Sequence, residues 1–202
     1  MAQYKLKLLV QNNFLNYFDE TNICLLKEVN KQLYNLINTY YIIKHDENIR
    51  KDKLLEKYCK NNQIMHIKSL MEQYSDLDWD YGLYGACKSG HMNIVNLMIE
   101  KGANDWNIGL GKACEGGHMN IVKLMIEKGA NYWNLGLYRA CEGGHMNIVK
   151  LLIKKGANDW NRGLYYACSG GYINIVKLMI EKGANNCKNC RNKKHRNYKK
   201  TD

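Results

Sequence analysis

The stretch ACEGGHMNIVKLMIEKGA, residues 113–130, decides the fold, because near-copies of it begin at Ala86, Ala140 and Ala167. The four tryptophans of the chain follow the same 27-residue period, at Trp79, Trp106, Trp133 and Trp160. A fixed period of this length is typical of solenoids, in which each repeat is a small unit that stacks on its neighbours. We therefore predict a repeat architecture.

The predicted array is longer than its four clear copies. Upstream of them, Leu70 stands one 27-residue period before Leu97, and Asp78 stands one period before Asp105. We infer an incomplete fifth copy there, and an array that runs from about residue 55 to residue 184. The predicted units are 55–81, 82–108, 109–135, 136–162 and 163–184.

The second half of each unit has the apolar spacing of a buried helix. In residues 113–130 the apolar positions of this helix are Ile121, Val122, Leu124, Met125 and Ile126, which is the pattern of one helix face. A glycine after Glu-Lys or Lys-Lys predicts the end of the helix, because glycine accepts a left-handed conformation and basic side chains complement the helix dipole. These glycines are Gly102, Gly129, Gly156 and Gly183.

A shorter helix is predicted in the first half of each unit. Its N-cap is predicted to be the Asp or Asn three positions before a repeated leucine. These residues are Asp80, Asn107, Asn134 and Asn161. A Gly-His pair, Gly117-His118 in the second clear copy, then turns the chain toward the second helix. Such a helix pair cannot bury its apolar faces alone, so neighbours must share one core. The predicted fold class is an all-α solenoid of stacked helix pairs.

The pattern from Leu110 to Asn131 resembles the ankyrin repeat, and the resemblance covers about two-thirds of the chain. The usual ankyrin unit is longer than this 27-residue unit, at about 33 residues. The Thr-Pro-Leu-His start of the family is replaced here by residues 108–111. The missing residues fall between Ala130 and Leu137, where the family has a projecting β-hairpin. We therefore expect a short loop without strands, with the tryptophans packed across the gap. Short, proline-free repeats rich in Asn, Lys, Ile and Tyr resemble those encoded by large DNA viruses of amoebae.

The resemblance implies a protein that binds a protein partner through the concave groove lined by the first helices. The copies differ mainly in that helix, at positions that point away from the buried face at 100° per residue. Tyr and Arg, which are frequent at binding hot spots, occur at several of these positions. Neutral variation of exposed sites is the alternative. The predicted partner-binding residues are Tyr84, Lys88, Lys112, Glu115, Tyr138, Arg139, Glu142, Tyr165 and Tyr166.

Residues 1–45 have the pattern of a small helical module, and residues 46–54 form a predicted linker. Within the module, residues 29–37 resemble the second half of an F-box. That resemblance implies docking to a Skp-type adaptor, so that the protein would be a substrate receptor of a cullin-type ubiquitin ligase. The adaptor-binding face would be Leu26, Val29, Leu33 and Ile37, at spacings of three and four. The alternative is a helical cap over the open end of the solenoid.

Residues 185–202 form a basic tail that we expect to be disordered. Residues 186–202 hold seven Lys or Arg against one Asp, and so carry +6 of the net charge of +11. The run from Arg191 to Lys200 could import the protein into the nucleus or contact RNA, but solvated termini are often basic. Nucleic-acid binding is therefore expected only through the tail. Cys187, Cys190 and His195 lack a fourth ligand, so no zinc site is predicted.

No catalytic site, metal or cofactor is predicted, and the protein is not expected to be an enzyme. Asp76, Asp78 and Asp80 alternate as in a calcium loop, but position twelve of that loop is Cys87 instead of Glu. The cysteines and histidines of the array are interpreted as buried apolar groups and as turn-bonding groups. No apolar run is long enough for a secretory leader or a membrane span. We expect an intracellular monomer in the cytoplasm or nucleus, of the host cell if the protein is viral.

Overall fold

The structure is a computed structural model that describes residues 51–186 of the chain. Within that range the chain forms ten α-helices and no strand, which confirms the predicted all-α class and the short loops without β-hairpins. The helices are α1 Lys51–Lys60, α2 Ile64–Gln73, α3 Trp79–Ser89, α4 Met92–Lys101, α5 Trp106–Gly116, α6 Met119–Glu127, α7 Trp133–Gly143, α8 Met146–Lys154, α9 Trp160–Gly170 and α10 Ile173–Glu181.

The ten helices form five helix pairs that stack in chain order. Within each pair an odd-numbered first helix packs on the even-numbered second helix that follows it. The first helices α1, α3, α5, α7 and α9 also pack side by side, each on the next, as in an ankyrin solenoid. The pair α1 and α2 stands in the place of the incomplete upstream copy. Residues 51–54, in the stretch predicted as a linker, form the first turn of α1.

One continuous apolar core runs through the stack. The third pair contributes Leu110, Ala113 and Cys114 from α5, and Ile121 and Met125 from α6, all of them fully buried. The equivalent residues of the neighbouring pairs are buried in the same way, so the core has the same period as the sequence. Burial of one large apolar side chain contributes about 1.5–3 kcal/mol. Each pair therefore depends on the pairs beside it for most of its stability.

Two glycines end the two helices in each of the four clear repeats. Gly117, after α5, has φ of +81°, and Gly129, after α6, has φ of +106°. The amide of Ala130 donates to the carbonyl of Met125 at 3.0 Å and the amide of Gly129 donates to Ile126 at 3.0 Å, which is the Schellman arrangement. The helix ends predicted at Gly102, Gly129, Gly156 and Gly183 are therefore confirmed.

The predicted N-caps of the first helices are wrong by two residues. Helix α5 begins at Trp106, and its N-cap is Asp105, whose Oδ1 accepts the amide of Ile108 at 3.1 Å. Asp159 caps α9 through the amide of Arg162 in the same way. The tryptophan at the start of each of α3, α5, α7 and α9 is partly buried and packs against the core.

The residues predicted as caps bind the next repeat instead. Oδ1 of Asn107, in the first turn of α5, accepts the amides of Asn131 and Tyr132 at 2.9 and 3.0 Å. These donors lie in the loop 24 and 25 residues further along the chain. Each Asp or Asn at this position thus orients the loop of the following repeat. The equivalent residues are Asp80, Asn134 and Asn161.

A histidine at three of the turns also joins two repeats, whereas the turn before α10 has Tyr172. Nε2 of His118 lies 3.2 Å from the carbonyl oxygen of Lys88 in the preceding repeat, and Nε2 of His145 lies 3.0 Å from that of Glu115. The sequence predicts turn-bonding groups at these positions. The histidines instead satisfy a carbonyl near the end of the preceding first helix, and so fix the repeats against one another.

Residues 1–50 and 187–202 lie outside the range that the structure describes. The F-box-like face at Leu26, Val29, Leu33 and Ile37, and the basic run from Arg191 to Lys200, therefore remain predictions.

Candidate protein-binding surface

The predicted partner-binding residues lie on the sides of α3, α5, α7 and α9 that are turned away from the core. We call these sides, together with the loops that lead into them, the first-helix surface. Of the predicted residues, Tyr165 is the most exposed, at 40%. The structure groups eight of the nine into a charged cluster and a tyrosine cluster, and places Tyr84 apart from both.

The charged cluster consists of Lys88, Lys112, Glu115, Arg139 and Glu142. Nζ of Lys88 lies 2.6 Å from Oε1 of Glu115, and Nη1 of Arg139 lies 2.8 Å from Oε2 of Glu142. Burial alone would raise the pKa of Glu115, but the hydrogen bond and charge of Lys88, with the charges of Lys112 and Arg139, outweigh burial and lower that pKa. Glu115 is therefore held ionised, and the cluster fixes the side chains of three neighbouring repeats.

The tyrosine cluster lies on α7 and α9, next to the charged cluster. The rings of Tyr138 and Tyr166 are stacked, with centroids 5.9 Å apart, and Tyr165 meets Tyr166 edge-on at 5.2 Å. The guanidinium of Arg162 lies 5.0 Å from the centroid of the Tyr138 ring. Asp159, Asn161, Arg162, Tyr165, Tyr166 and Asn186 line an open groove beside this cluster. The sequence prediction missed Arg162, because its position was assigned to the helix start.

A hydrogen bond between tyrosine and aspartate joins some neighbouring repeats. The hydroxyl of Tyr84 donates to Oδ2 of Asp105 at 2.7 Å, and the hydroxyl of Tyr138 donates to Oδ2 of Asp159 at 2.9 Å. We call each such pair a tyrosine–aspartate joint. The aspartate is also the N-cap of its helix, so one carboxylate makes both contacts. Burial, and then the hydrogen bond to Asp105, raise the pKa of Tyr84 well above its ordinary value.

The joint is missing between the second and third clear repeats. There Gly111 stands at the tyrosine position and Tyr132 at the aspartate position, one 27-residue period after Tyr84 and Asp105. Helix α7 consequently has no side-chain cap. Leu135 packs over Gly111, at 3.3 Å from the place that a Cβ would occupy. Tyr132 is 60% exposed, the highest value among the exposed large apolar side chains of residues 51–186.

Sequence reasoning missed Tyr132 because it compared only the positions after the repeated leucine. The sequence does contain a signal for Tyr132. At the equivalent position of the neighbouring repeats stand Asp105 and Asp159, which can cap a helix, whereas Tyr132 cannot. Both residues of the joint, the tyrosine and the aspartate, are therefore replaced between the same two repeats. Tyr132 therefore belongs to the first-helix surface as an exposed aromatic residue.

The cysteines of the array are packing groups in three of the four clear repeats. Cys87, Cys114 and Cys141 are fully buried free thiols. Burial raises the pKa of Cys87 and of Cys141 to about 12, so neither is a nucleophile at neutral pH. The interpretation as an unmodified apolar side chain is wrong for Cys168, which is half-buried and disulfide-bonded.

Other kinds of site were sought in the part of the chain that the structure describes. No group of three or more His, Cys, Asp or Glu side chains in residues 51–186 is arranged to hold a metal ion. Asp76, Asp78 and Asp80 each serve a local contact: Asp76 pairs with Lys51, Asp78 caps α3 and Asp80 holds the next loop. Among the described helices, none has the length and apolar character needed to cross a membrane.

Comparison with known proteins agrees with this architecture. No curated protein matches the sequence significantly. The family model for ankyrin repeats, which spans three copies, matches residues 83–158 and, in an overlapping placement, residues 110–192. These matches together cover residues 83–192, more than half of the chain. Ankyrin repeats form a fold for protein–protein interaction and not for catalysis. By the helix pairs, their stacking and this match, the chain belongs to the ankyrin repeat family.

Proposed function

We propose that the protein binds a protein partner through the first-helix surface and that this binding, without catalysis, is its function. The observation that carries the proposal is where the repeats differ from one another. On the second helices, the exposed residues change less. Asn93, Asn120, Asn147 and Asn174 are identical, although Asn96 stands where the later repeats have Lys and Lys154 stands where the other repeats have Glu. On the first helices, the equivalent exposed positions change in size and charge from repeat to repeat. Neutral variation would affect both surfaces alike, so the difference favours a role in binding.

The side chains of the first-helix surface are held in place before any partner arrives. Tyr138 is fixed by its joint to Asp159, its stacking on Tyr166 and the guanidinium of Arg162. Lys88 and Arg139 are fixed by their ion pairs. Side chains that are already ordered lose little conformational entropy on binding. A rigid surface that carries tyrosine and arginine has the composition of a binding hot spot.

Tyr165 is the best residue with which to test the proposal. It is 40% exposed and contacts Tyr166 by its ring. Tyr138, in contrast, holds two repeats together through Asp159, so that its loss would lower stability as well as binding. Ile180, on α10 of the same repeat and 43% exposed, is a matched control outside the first-helix surface.

The experiment begins with the tagged full-length protein and identifies co-purifying partners by mass spectrometry. The dissociation constant of the main partner is then measured for the wild type, Tyr165→Ala and Ile180→Ala. We expect Tyr165→Ala to weaken binding by about 1–3 kcal/mol, with an unchanged melting temperature, and Ile180→Ala to bind as the wild type does. Equal affinity of all three proteins for the same partner would place the binding site elsewhere.

The alternative function, a substrate receptor that recruits a Skp-type adaptor through Leu26, Val29, Leu33 and Ile37, rests on sequence resemblance alone. In that alternative the first-helix surface would bind the substrate to be ubiquitinated.

A further inference from the structure

The carboxylates of the first-helix surface already have partners within the array. Oδ1 of Asp80 accepts the amides of Asn104 and Asp105 at 2.8 and 2.9 Å. Glu115 and Glu142 are paired with Lys88 and Arg139. The remaining ones, Asp78, Asp105 and Asp159, are N-caps, and the last two also accept a tyrosine hydroxyl. This surface therefore has no carboxylate left over for a basic partner.

Two cations on the same surface have no such partner. Within residues 51–186, neither Lys112 nor Arg162 forms a salt bridge. Lys112 is near enough to Glu115 to help lower its pKa, but Lys88 forms the ion pair. Arg162 is exposed and its guanidinium lies over the Tyr138 ring, where Nη1 donates to the hydroxyl of that tyrosine at 3.4 Å. The charge that is still unmatched on this surface is therefore positive.

Tyr132 lies at the start of the helix that separates the helices of these two cations. Lys112 belongs to α5 and Arg162 to α9, and Tyr132 immediately precedes α7, which packs between those two helices. At the position of Tyr132 the neighbouring repeats have a capping aspartate. Helix α7 therefore lacks both the side-chain cap and the tyrosine–aspartate joint, and a tyrosine is exposed at the middle of the surface instead. Local features that lower stability are expected at functional sites.

We propose that the partner docks an extended acidic segment along the first-helix surface, with carboxylates on Lys112 and Arg162 and its middle against Tyr132. This inference rests on the proposed function. Neighbouring helices pack about 8–10 Å apart, so α5 and α9 are separated by about 16–20 Å. An extended chain covers that distance in about five or six residues at ~3.3 Å each. Two unpaired cations suit a short peptide but are few for a nucleic acid, whose binding neutralises many phosphates.

The test uses a phage-displayed library of random 12-residue peptides, selected against the full chain. We expect enriched peptides to carry two acidic residues about five or six positions apart. Their dissociation constants are then measured by fluorescence anisotropy for the wild type and three variants. Lys112→Glu/Arg162→Glu should weaken binding at least about tenfold, because it places like charges opposite the peptide. Tyr132→Asn, which keeps the charge and restores a capping residue, should weaken it at least about fivefold.

The matched control is Lys123→Glu/Lys177→Glu, which makes the same change in net charge on the exposed sides of α6 and α10. This control should bind the peptides within about twofold of the wild type. The inference is overturned if no peptide is enriched, if the enriched peptides are not acidic, or if the control pair weakens binding as much as the test pair. If one of these results occurs while Tyr165→Ala still loses the cellular partner, the proposed function stands and only the acidic segment is wrong.

Discussion

Replacement of Asp105 by alanine removes two contacts at once, because this carboxylate caps α5 and accepts the hydroxyl of Tyr84. Loss of an N-cap costs about 1 kcal/mol. Loss of a hydrogen bond to a charged group costs about 1.5–3 kcal/mol, and we take the lower end because the freed tyrosine hydroxyl can reach water. We therefore expect Asp105→Ala to lower the free energy of unfolding by about 2–3 kcal/mol. The melting temperature should fall by roughly 6–12 °C.

The assay is urea unfolding followed by circular dichroism, on the single variants and on a double-mutant cycle with Tyr84→Phe. Asp105→Asn keeps a capping oxygen and should cost about 1 kcal/mol or less. The coupling free energy between Asp105→Ala and Tyr84→Phe should be about 1 kcal/mol. Tyr132→Ala is the control in the same register, and it should cost less than about 0.5 kcal/mol because no cap is lost there. The joint is refuted as a stabilising contact if the coupling is zero, or if Asp105→Ala costs no more than Tyr132→Ala.

Three further predictions concern pH, a helix end and the N-terminal module. Because the pKa of Tyr84 is raised in the folded state, its contribution to stability is complete below the unfolded pKa of about 10 and is lost as pH rises above it toward the higher folded pKa; the stability advantage of the wild type over Tyr84→Phe should therefore shrink as pH rises from about 10 to about 12, and an advantage that grew would contradict the shift. Gly129→Ala should cost about 1–2 kcal/mol in urea unfolding, entirely from its φ of +106°, because no atom stands within 4 Å of the added Cβ; an unchanged stability would mean that this backbone conformation is not required. If the N-terminal module is F-box-like, Val29→Asp should abolish pull-down of a Skp-type adaptor by the intact protein; failure of the wild type to bind any such adaptor at micromolar concentration would favour the helical cap.

The helix pairs could be predicted from the sequence because they depend on short-range patterns. The apolar spacing of Ile121, Val122 and Met125 and the glycine at position 129 determine one helix and its end, and the 27-residue period repeats that result. The core followed from the same spacing, because a solenoid buries equivalent residues in every unit.

The joints between repeats could not be predicted in this way. Asn107 has the chemistry of an N-cap, and only the position of the next loop, 24 residues ahead, shows that its oxygen accepts other amides. The pairing of Tyr84 with Asp105 likewise depends on how far one helix is rotated against the next. Sequence patterns that describe a single helix cannot predict how that helix is rotated against its neighbour. The residues of the candidate surface were found where variation lay beside a repeated leucine, whereas Tyr132 and Arg162 were missed because they precede it.

The hydrogen bonds that orient each loop have a consequence for how the array can change in length. Every repeat provides the side-chain oxygen that binds the following loop, and its own loop provides the amides that bind the preceding repeat. Deletion of one whole repeat therefore leaves no donor or acceptor without its partner. If residues 109–135 were removed, Asn107 would face Asn158 and Asp159, again 24 and 25 residues away in the shortened chain. Tyr84 would keep Asp105, and Tyr138 would keep Asp159. Unequal recombination in steps of one whole repeat could thus lengthen or shorten the protein and still yield a folded product, whereas a deletion of part of a repeat would misalign the contacts across the deletion.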